Sequence, residues 1–173
     1  YRRAREPGPT ESCVRLNSAT AVAHDAQINP ANRSDDMSEA GLLLNALLAK
    51  QPDNPQFLNA KAVLLHQTTV VGRGDRRNRV EVENLFQKAA ARSYLPAQFN
   101  LAVAQMENDH ASEGIAGLQQ DLQHDSSSRW ATWARATLQA QQATPPPSAN
   151  APTLHPLPPL PCATPAAPSA PPH

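Results

Sequence analysis

The side chains of this chain that could carry chemistry are few and dispersed. Proton transfer or metal binding would fall to its six histidines, which are His24, His66, His110, His124, His155 and His173. No His-Glu-x-x-His motif occurs, in which two imidazoles on one helix face would hold zinc. His124 is followed by Asp125, but a histidine at a predicted helix end is favoured by the helix dipole alone. The sequence therefore indicates a non-catalytic protein that needs no cofactor.

A glycine-containing basic segment could bind anions. Gly72 and Gly74 form a Gly-x-Gly, but no predicted strand precedes it and no third glycine follows, so a nucleotide fingerprint is not indicated. The guanidinium groups of this segment could grip a phosphate or an acidic partner. They belong to Arg73, Arg76, Arg77 and Arg79. Because Asp75, Glu81 and Glu83 lie close by and no aromatic residues are interleaved for base stacking, we favour a solvated loop over an acidic-partner contact and expect no nucleic acid.

Two cysteines are separated by most of the chain. Cys13 and Cys162 each lack a second cysteine or a histidine at metal-ligand spacing. Two interpretations stay open. A disulfide would tie the C-terminal part to the N-terminal part in an oxidising compartment. Two unpaired thiols are the interpretation that we favour.

The C-terminal part has a different composition from the rest. Twelve of the eighteen prolines lie in residues 144–173, which contain no Asp, Glu, Lys or Arg. Since proline fixes φ and removes a backbone donor, we expect residues 143–173 to form a disordered, largely polyproline II tail. Its most regular stretch could dock in an aromatic-lined groove. The prolines of that stretch are Pro156, Pro158, Pro159 and Pro161. A simple spacer is the alternative that we favour.

Charge and hydropathy limit the function classes. The formal net charge is zero, so no strong field recruits nucleic acid or an anionic membrane. No apolar run approaches the ~18 residues that a transmembrane helix needs. Arginine outnumbers lysine twelve to three beside abundant alanine and proline. This composition is typical of a GC-rich genome and indicates a bacterial source, for which we favour the periplasm or envelope over the cytoplasm.

The rest of the chain has the apolar periodicity of α-helices. We predict a flexible arm over 1–37, with a weak helix at 11–28, followed by an all-α domain over 38–142. Ser38 is the expected N-cap of the first confident helix, and Asn54-Pro55 the start of the second. The expected helices span 38–50, 54–68, 80–93, 96–108, 112–124 and 129–142.

An alanine pair follows an aromatic residue three times along this pattern. The pairs are Ala60 with Ala62, Ala102 with Ala104, and Ala134 with Ala136. The pairs recur after 42 and then 32 residues. Small residues that recur in this way let stacked helix pairs approach closely, which is typical of helical repeat proteins.

Three short segments carry a family resemblance. Residues 71–75 (VGRGD), 85–90 (LFQKAA) and 96–101 (PAQFNL) together resemble a Sel1-like repeat, and residues 38–69 are similar to a tetratricopeptide unit. The chain departs from the Sel1 pattern at Ala102, where a glycine is usual. The resemblance extends over 38–142. It implies an α-solenoid of about 2.5–3 repeats of antiparallel helix pairs, wound as a right-handed superhelix with a concave groove.

The family analogy also implies where a partner binds. The groove would be lined by the helices at 54–68, 96–108 and 129–142, and their polar side chains could hydrogen-bond an extended peptide or cradle a helix. The candidates are Asn59, Lys61, Asn100, Gln105 and Arg135. The expected function is a protein-binding adaptor. One alternative is a structural subunit of a bacterial envelope or secretion assembly, in which the tail contacts a neighbour. A second copy of the chain could also cover the poorly capped N-terminus. An enzyme is the alternative that we favour least.

Overall fold

The computed structural model describes residues 9–28, 33–71, 76–108 and 110–142. Within these ranges the chain forms seven α-helices and no β-strand, which confirms the predicted all-helical class. The helices are α1 (Pro9–Ile28), α2 (Arg33–Lys50), α3 (Pro55–Val71), α4 (Arg76–Ala90), α5 (Leu95–Glu107), α6 (Ala111–His124) and α7 (Arg129–Gln142).

The second helix begins earlier than the sequence pattern predicts. α2 starts at Arg33, so Ser38 lies inside a helix and is not its N-cap. The segment looks like a linker because it is polar, but Asp35 and Asp36 occupy the first turn, where carboxylates interact favourably with the helix dipole. The predicted boundary between residues 37 and 38 therefore falls within a helix.

The predicted loop over 70–79 is also too long. α3 continues to Val71, and α4 already begins at Arg76 instead of Val80. No helix breaker occurs before Gly72, so α3 continues until the glycine-containing segment. The arginines at 76, 77 and 79 consequently belong to the first turn of α4.

The start of α3 is formed as predicted. The Asn54 side-chain oxygen accepts hydrogen bonds from the backbone N–H groups of Gln56 (3.0 Å) and Phe57 (3.4 Å), and Pro55 is the first helical residue. Proline at this position has no N–H to leave unsatisfied, and its fixed φ suits the first turn. The Asn-Pro pair therefore both caps and begins the helix.

The first helix belongs to the core. Leu16 and Ala19 of α1 are buried in one cluster with Leu44 and Leu47 of α2 and Phe57 of α3. We predicted a flexible arm for this part of the chain. The structure instead packs α1 against α2 and α3 as part of the same core. The sequence gives a weak signal here because the face that α1 buries is narrow and, apart from Leu16, is made of small residues.

The helices form two layers. Each helix packs against the next one along the chain, and α1, α3, α5 and α7 also contact each other in that order. We call these four helices the odd layer. Within the described residues, the backbones of the even helices α2, α4 and α6 do not approach one another. The odd layer is thus continuous, while the even helices are separated from one another.

Two pairs of side chains fix the direction of the central odd helices. Asn59 pairs with Asn100, and His66 pairs with Glu107, and in both pairs the partners are 41 residues apart. An equal offset at two levels means that α3 and α5 run parallel. α4 connects them and runs antiparallel to both. Val82 packs in one cluster with Ala62 and Ala104, whereas Ala89, near the end of α4, packs with Leu58 and Ala97 near the starts of α3 and α5.

Candidate functional site

The spacing of the even helices leaves part of α5 uncovered. Ala97 and Ala104 face α4, and Ala102 faces α6. The stripe between these two faces contains Gln98, Leu101 and Gln105, which are only half-buried. Their spacing of three and four residues places them on one line along the helix. We call this line, between α4 and α6, the second furrow.

An equivalent stripe lies on α3. Leu64 packs in the cluster shared with α2, and Ala62 packs in the cluster shared with α4. Lys61, Leu65 and Thr68 lie between those faces, with Lys61 and Leu65 half-buried and Thr68 exposed. We call this line, between α2 and α4, the first furrow.

The furrows combine apolar floors with hydrogen-bonding groups. Leu65 and Leu101 are partly buried, and both pack against the same core cluster. The polar residues beside them are Lys61, Thr68, Gln98 and Gln105, and none of these carries a negative charge. Carboxamides both donate and accept hydrogen bonds, so they can satisfy the N–H and C=O groups of an extended peptide.

The structure places two of the predicted groove residues inside the protein. Asn59 and Asn100 have no exposed surface, and the Asn100 side-chain nitrogen donates to the Asn59 oxygen at 3.1 Å. The Asn59 side-chain nitrogen is buried and has no hydrogen-bond partner. These amides join α3 to α5 and cannot touch a partner at the surface. Helical periodicity alone did not reveal this, because a polar residue on a repeat helix is usually solvated.

The other groove candidates remain accessible but are divided between surfaces. Lys61 and Gln105 lie in the two furrows, on the even-helix side of the odd layer. Arg135 of α7 is exposed and donates to the Ser126 carbonyl oxygen at 3.0 Å, which ties it to the loop before its own helix. The structure therefore does not bring the five candidates together.

A histidine–glutamate pair was missed by the sequence analysis. The ring nitrogen Nε2 of His66 lies 2.5 Å from a Glu107 carboxylate oxygen, and both side chains are mostly buried, at 17% and 30% exposure. The pair connects the C-terminal halves of α3 and α5, about two helical turns beyond the buried amides. His66 and Glu107 are 41 residues apart in the sequence, as are Asn59 and Asn100. This shared separation was the sequence signal that could have indicated the pair.

The basic segment is only partly described. Arg77 and Arg79 are exposed on α4, Arg73 lies outside the described residues, and the side chain of Arg76 does too. The phosphate or acidic-partner role of these residues stays a prediction. The same holds for the polyproline residues Pro156, Pro158, Pro159 and Pro161, which lie outside the described ranges.

The structure describes only one of the two cysteines. Cys13 lies on α1, is half-buried and is disulfide-bonded. The favoured interpretation of unpaired thiols is therefore wrong for Cys13. Cys162 lies outside the described residues.

An aromatic cleft opens between α5, α6 and α7. The cleft is partly open to solvent, and its cavity volume is only about 10 Å³. Phe99 and Trp130 line it, with ring centroids 5.7 Å apart, and Trp130 packs edge-on against Trp133 at 4.9 Å. Asp121 also lines the cleft, and burial raises the pKa of this carboxyl group to about 6.

We expect Asp121→Asn to stabilise the fold at neutral pH but not at acid pH. Asp121 binds its proton more tightly in the folded chain, so its contribution to stability falls as pH rises from about 4 to about 6. Removing the charge should raise the free energy of unfolding by about 1 kcal/mol at about pH 7.5 and by almost nothing at about pH 4. The gain is modest because solvent screens the charge of a half-exposed carboxylate. Urea unfolding at the two pH values measures the difference.

Asp125→Asn is the matched control at the end of the same helix. Hydrogen bonds from Ser128 lower the pKa of Asp125, so its carboxylate stabilises the fold at neutral pH, and this contribution is lost as the pH falls. The control should therefore be less stable than the parent at neutral pH and equal to it in acid. An equal gain for Asp121→Asn at both pH values would contradict the assigned cause.

Comparisons with known proteins add no relative. No family model, no curated protein and no solved structure matches this chain. In the part of the chain that the structure describes, no helix has the length and apolar character to span a membrane. The same ranges contain no group of three His, Cys, Asp or Glu side chains that could hold a metal ion.

Proposed function

We propose that this chain is a non-catalytic protein–protein interaction module, and that it binds an extended segment of a partner protein in its furrows. The observation that carries the proposal is the pair of half-buried stripes on the neighbouring helices α3 and α5, each with a central leucine and non-acidic polar side chains beside it. Two neighbouring sites of the same kind are suited to one elongated ligand that crosses both.

We further propose that the helix pairs stack as an α-solenoid of the Sel1-like or tetratricopeptide kind. Three features support this. The odd helices contact one another in sequence, α3 and α5 are parallel, and the even helices are separated from one another. The sequence resemblance of residues 85–90 and 96–101 to a Sel1-like repeat also favours this arrangement.

The proposed binding surface differs from the concave groove of the family analogy. The burial of Asn59 and Asn100 removes two of its expected contacts. Lys61 and Gln105 remain candidate partner-binding residues, but we place them in the furrows. Gln98 is a further candidate there.

Introducing a negative charge into each furrow tests the proposal. The intact chain is immobilised, and partners captured from extracts of its native host are compared for Lys61→Glu, Gln105→Glu and the parent. We expect each variant to lose most of the captured partner. Removing a furrow donor leaves partner groups unsatisfied, which costs about 1–3 kcal/mol per buried group, or roughly tenfold in affinity.

Lys88→Glu and Gln87→Glu are the matched controls. Both residues are exposed on α4, so the same chemical changes are made outside the furrows. The controls should capture as much partner as the parent does. If furrow and control variants lose equal amounts of captured partner, the loss is caused by the change in net charge and not by the furrows. If both furrow variants capture as much partner as the parent, the proposed binding surface is wrong.

The alternative, a structural subunit of a larger assembly, is favoured by one feature of α2. Leu42 is 70% exposed, and the exposed Ala46 and Ala49 follow it on the same stripe. This apolar row is narrow, since Glu39 and Asn45 flank it. If Leu42→Lys abolishes capture while Lys61→Glu retains it, the assembly role is correct and the furrow role is not.

A further inference from the structure

The aromatic cleft between α5, α6 and α7 has the chemistry of a cation-binding site. Its lining combines aromatic rings, aliphatic side chains and the Asp121 carboxylate. We propose that the cleft binds a primary ammonium group at the end of an aliphatic chain, as in a lysine side chain or a small alkyl amine. None of its lining residues belongs to a furrow, so the proposal does not depend on furrow binding.

Asp121 gives the cleft a negative charge that has no partner within the described part of the chain. The side chain is half-buried on α6, and among the described residues its carboxylate forms neither a hydrogen bond nor an ion pair. Burial raises the pKa of this carboxyl group to about 6, because the charged form is poorly solvated there. A carboxylate that loses water without gaining a partner destabilises the fold, and such groups in clefts are characteristic of binding sites.

The aromatic residues of the cleft add a second attraction for a cation. Phe99 of α5 and Trp130 of α7 line it, and aromatic rings attract cations over their faces, tryptophan most strongly. The same aromatic cluster already contacts one cation, since the Arg129 guanidinium lies 5.9 Å from the ring centroid of Trp133. Arg129 does not line the cleft, so the Asp121 carboxylate is left for an external cation.

The size of the cleft selects the kind of cation. Its cavity volume of about 10 Å³ accommodates about one water-sized group. An ammonium group is a compact point charge of this size, whereas a planar guanidinium group is larger. Leu95 and Leu122 also line the cleft and can contact the methylene groups behind the ammonium head. The cleft therefore fits an alkyl ammonium group better than an arginine side chain.

The other charged groups near Asp121 leave it as the ligand carboxylate. His124 and Asp125 act on it from the end of the same helix and the loop that follows. Asp125 also lines the cleft, but its carboxylate accepts hydrogen bonds from the backbone N–H groups of Ser127 (3.3 Å) and Ser128 (3.1 Å). The residues that α5 and α7 contribute to the lining are uncharged.

Tryptophan fluorescence tests the site directly, because both tryptophans of the chain, Trp130 and Trp133, belong to this aromatic cluster. The intact chain is titrated with n-butylamine at neutral pH. We expect a saturable change in emission, and none over the same concentrations of tetramethylammonium, which is too large, or of n-butanol, which is uncharged. The absence of a saturable change, or an equal response to all three probes, would overturn the proposal.

A short peptide with one lysine distinguishes the two sources of the ammonium group. Tighter binding of this peptide than of n-butylamine assigns the cleft to a partner protein, and weaker binding assigns it to a small amine. Saturable binding of either probe supports the ammonium site itself.

Two variants locate the binding charge. Asp121→Asn should weaken n-butylamine binding at least about tenfold, because the ammonium group loses its charged hydrogen-bond partner. Glu113→Gln is the matched control, since it removes the same charge from an exposed position of the same helix and should bind like the parent. Equal affinities of the two variants would contradict the assignment of Asp121.

The pH dependence of binding gives a second check. Affinity for n-butylamine should fall about tenfold from about pH 7 to about pH 5, because Asp121 takes up its proton near pH 6 while the amine stays charged. The pH dependence should persist in His124→Gln and disappear in Asp121→Asn. Binding that is independent of pH in the parent, or a pH dependence that His124→Gln removes, would show that Asp121 does not hold the ammonium group.

Discussion

Replacing Gly114 with alanine is expected to destabilise the fold by about 2–3 kcal/mol, although alanine is the better helix former. A Cβ atom at this position would lie 2.4 Å from the Ala102 carbonyl oxygen and 2.7 Å from Cγ of Met106. The methionine can rotate away, but the carbonyl oxygen belongs to the backbone of α5. The substitution must therefore push α6 and α5 apart.

Gly117→Ala is the control on the same helix. Its Cβ atom would meet the Ala102 side chain at 3.7 Å, which is an ordinary van der Waals contact. We expect this variant to be as stable as the parent or more stable by up to ~1 kcal/mol, from helix propensity alone. Urea unfolding followed by circular dichroism measures both variants. Equal effects at the two positions would contradict the close approach of α5 and α6.

The buried amide pair is expected to give the second large effect, in a double-mutant cycle. Asn100→Leu should cost about 2–3 kcal/mol, because the Asn59 amide would stay buried without its partner. Adding Asn59→Leu should recover most of this loss, since replacing both polar groups by apolar ones of similar shape is nearly neutral. The expected coupling between the two sites is about 2 kcal/mol, measured by urea unfolding of the four proteins.

The outcome of the cycle distinguishes two roles of the amides. Coupling of this size means that the pair acts as one unit between α3 and α5. Additive losses would instead mean that each asparagine has an independent role, and the pairing would then not explain their burial. The double variant also tests binding, because furrow capture should survive when Lys61 and Gln105 are retained.

Much of the fold could be predicted from local patterns. The starts of α3, α5, α6 and α7 follow from a cap residue, a proline or a break in periodicity, and they lie within one residue of prediction. α2 and α4 were predicted too short because their first turns are polar. A helix dipole tolerates or favours such residues, while an apolar pattern cannot detect them.

The candidate site was harder to predict than the fold. Lys61 and Asn59 are two positions apart on one helix, and no local property tells which of them is buried. Their separation depends on where α2, α4 and α5 pack around α3. Likewise, Gly114 and Gly117 have the same intrinsic propensity, and only the distance to α5 makes them different.

The sequence by itself determined that this protein is helical, where most of its helices begin, and that its C-terminal part is proline-rich and uncharged. These properties depend on backbone preferences and on short-range periodicity, which each segment carries alone. Only the tertiary structure decided that α1 belongs to the core, that two asparagines pair out of solvent, and that uncovered stripes remain between the even helices. These properties arise from contacts between residues tens of positions apart, whose packing no local pattern encodes.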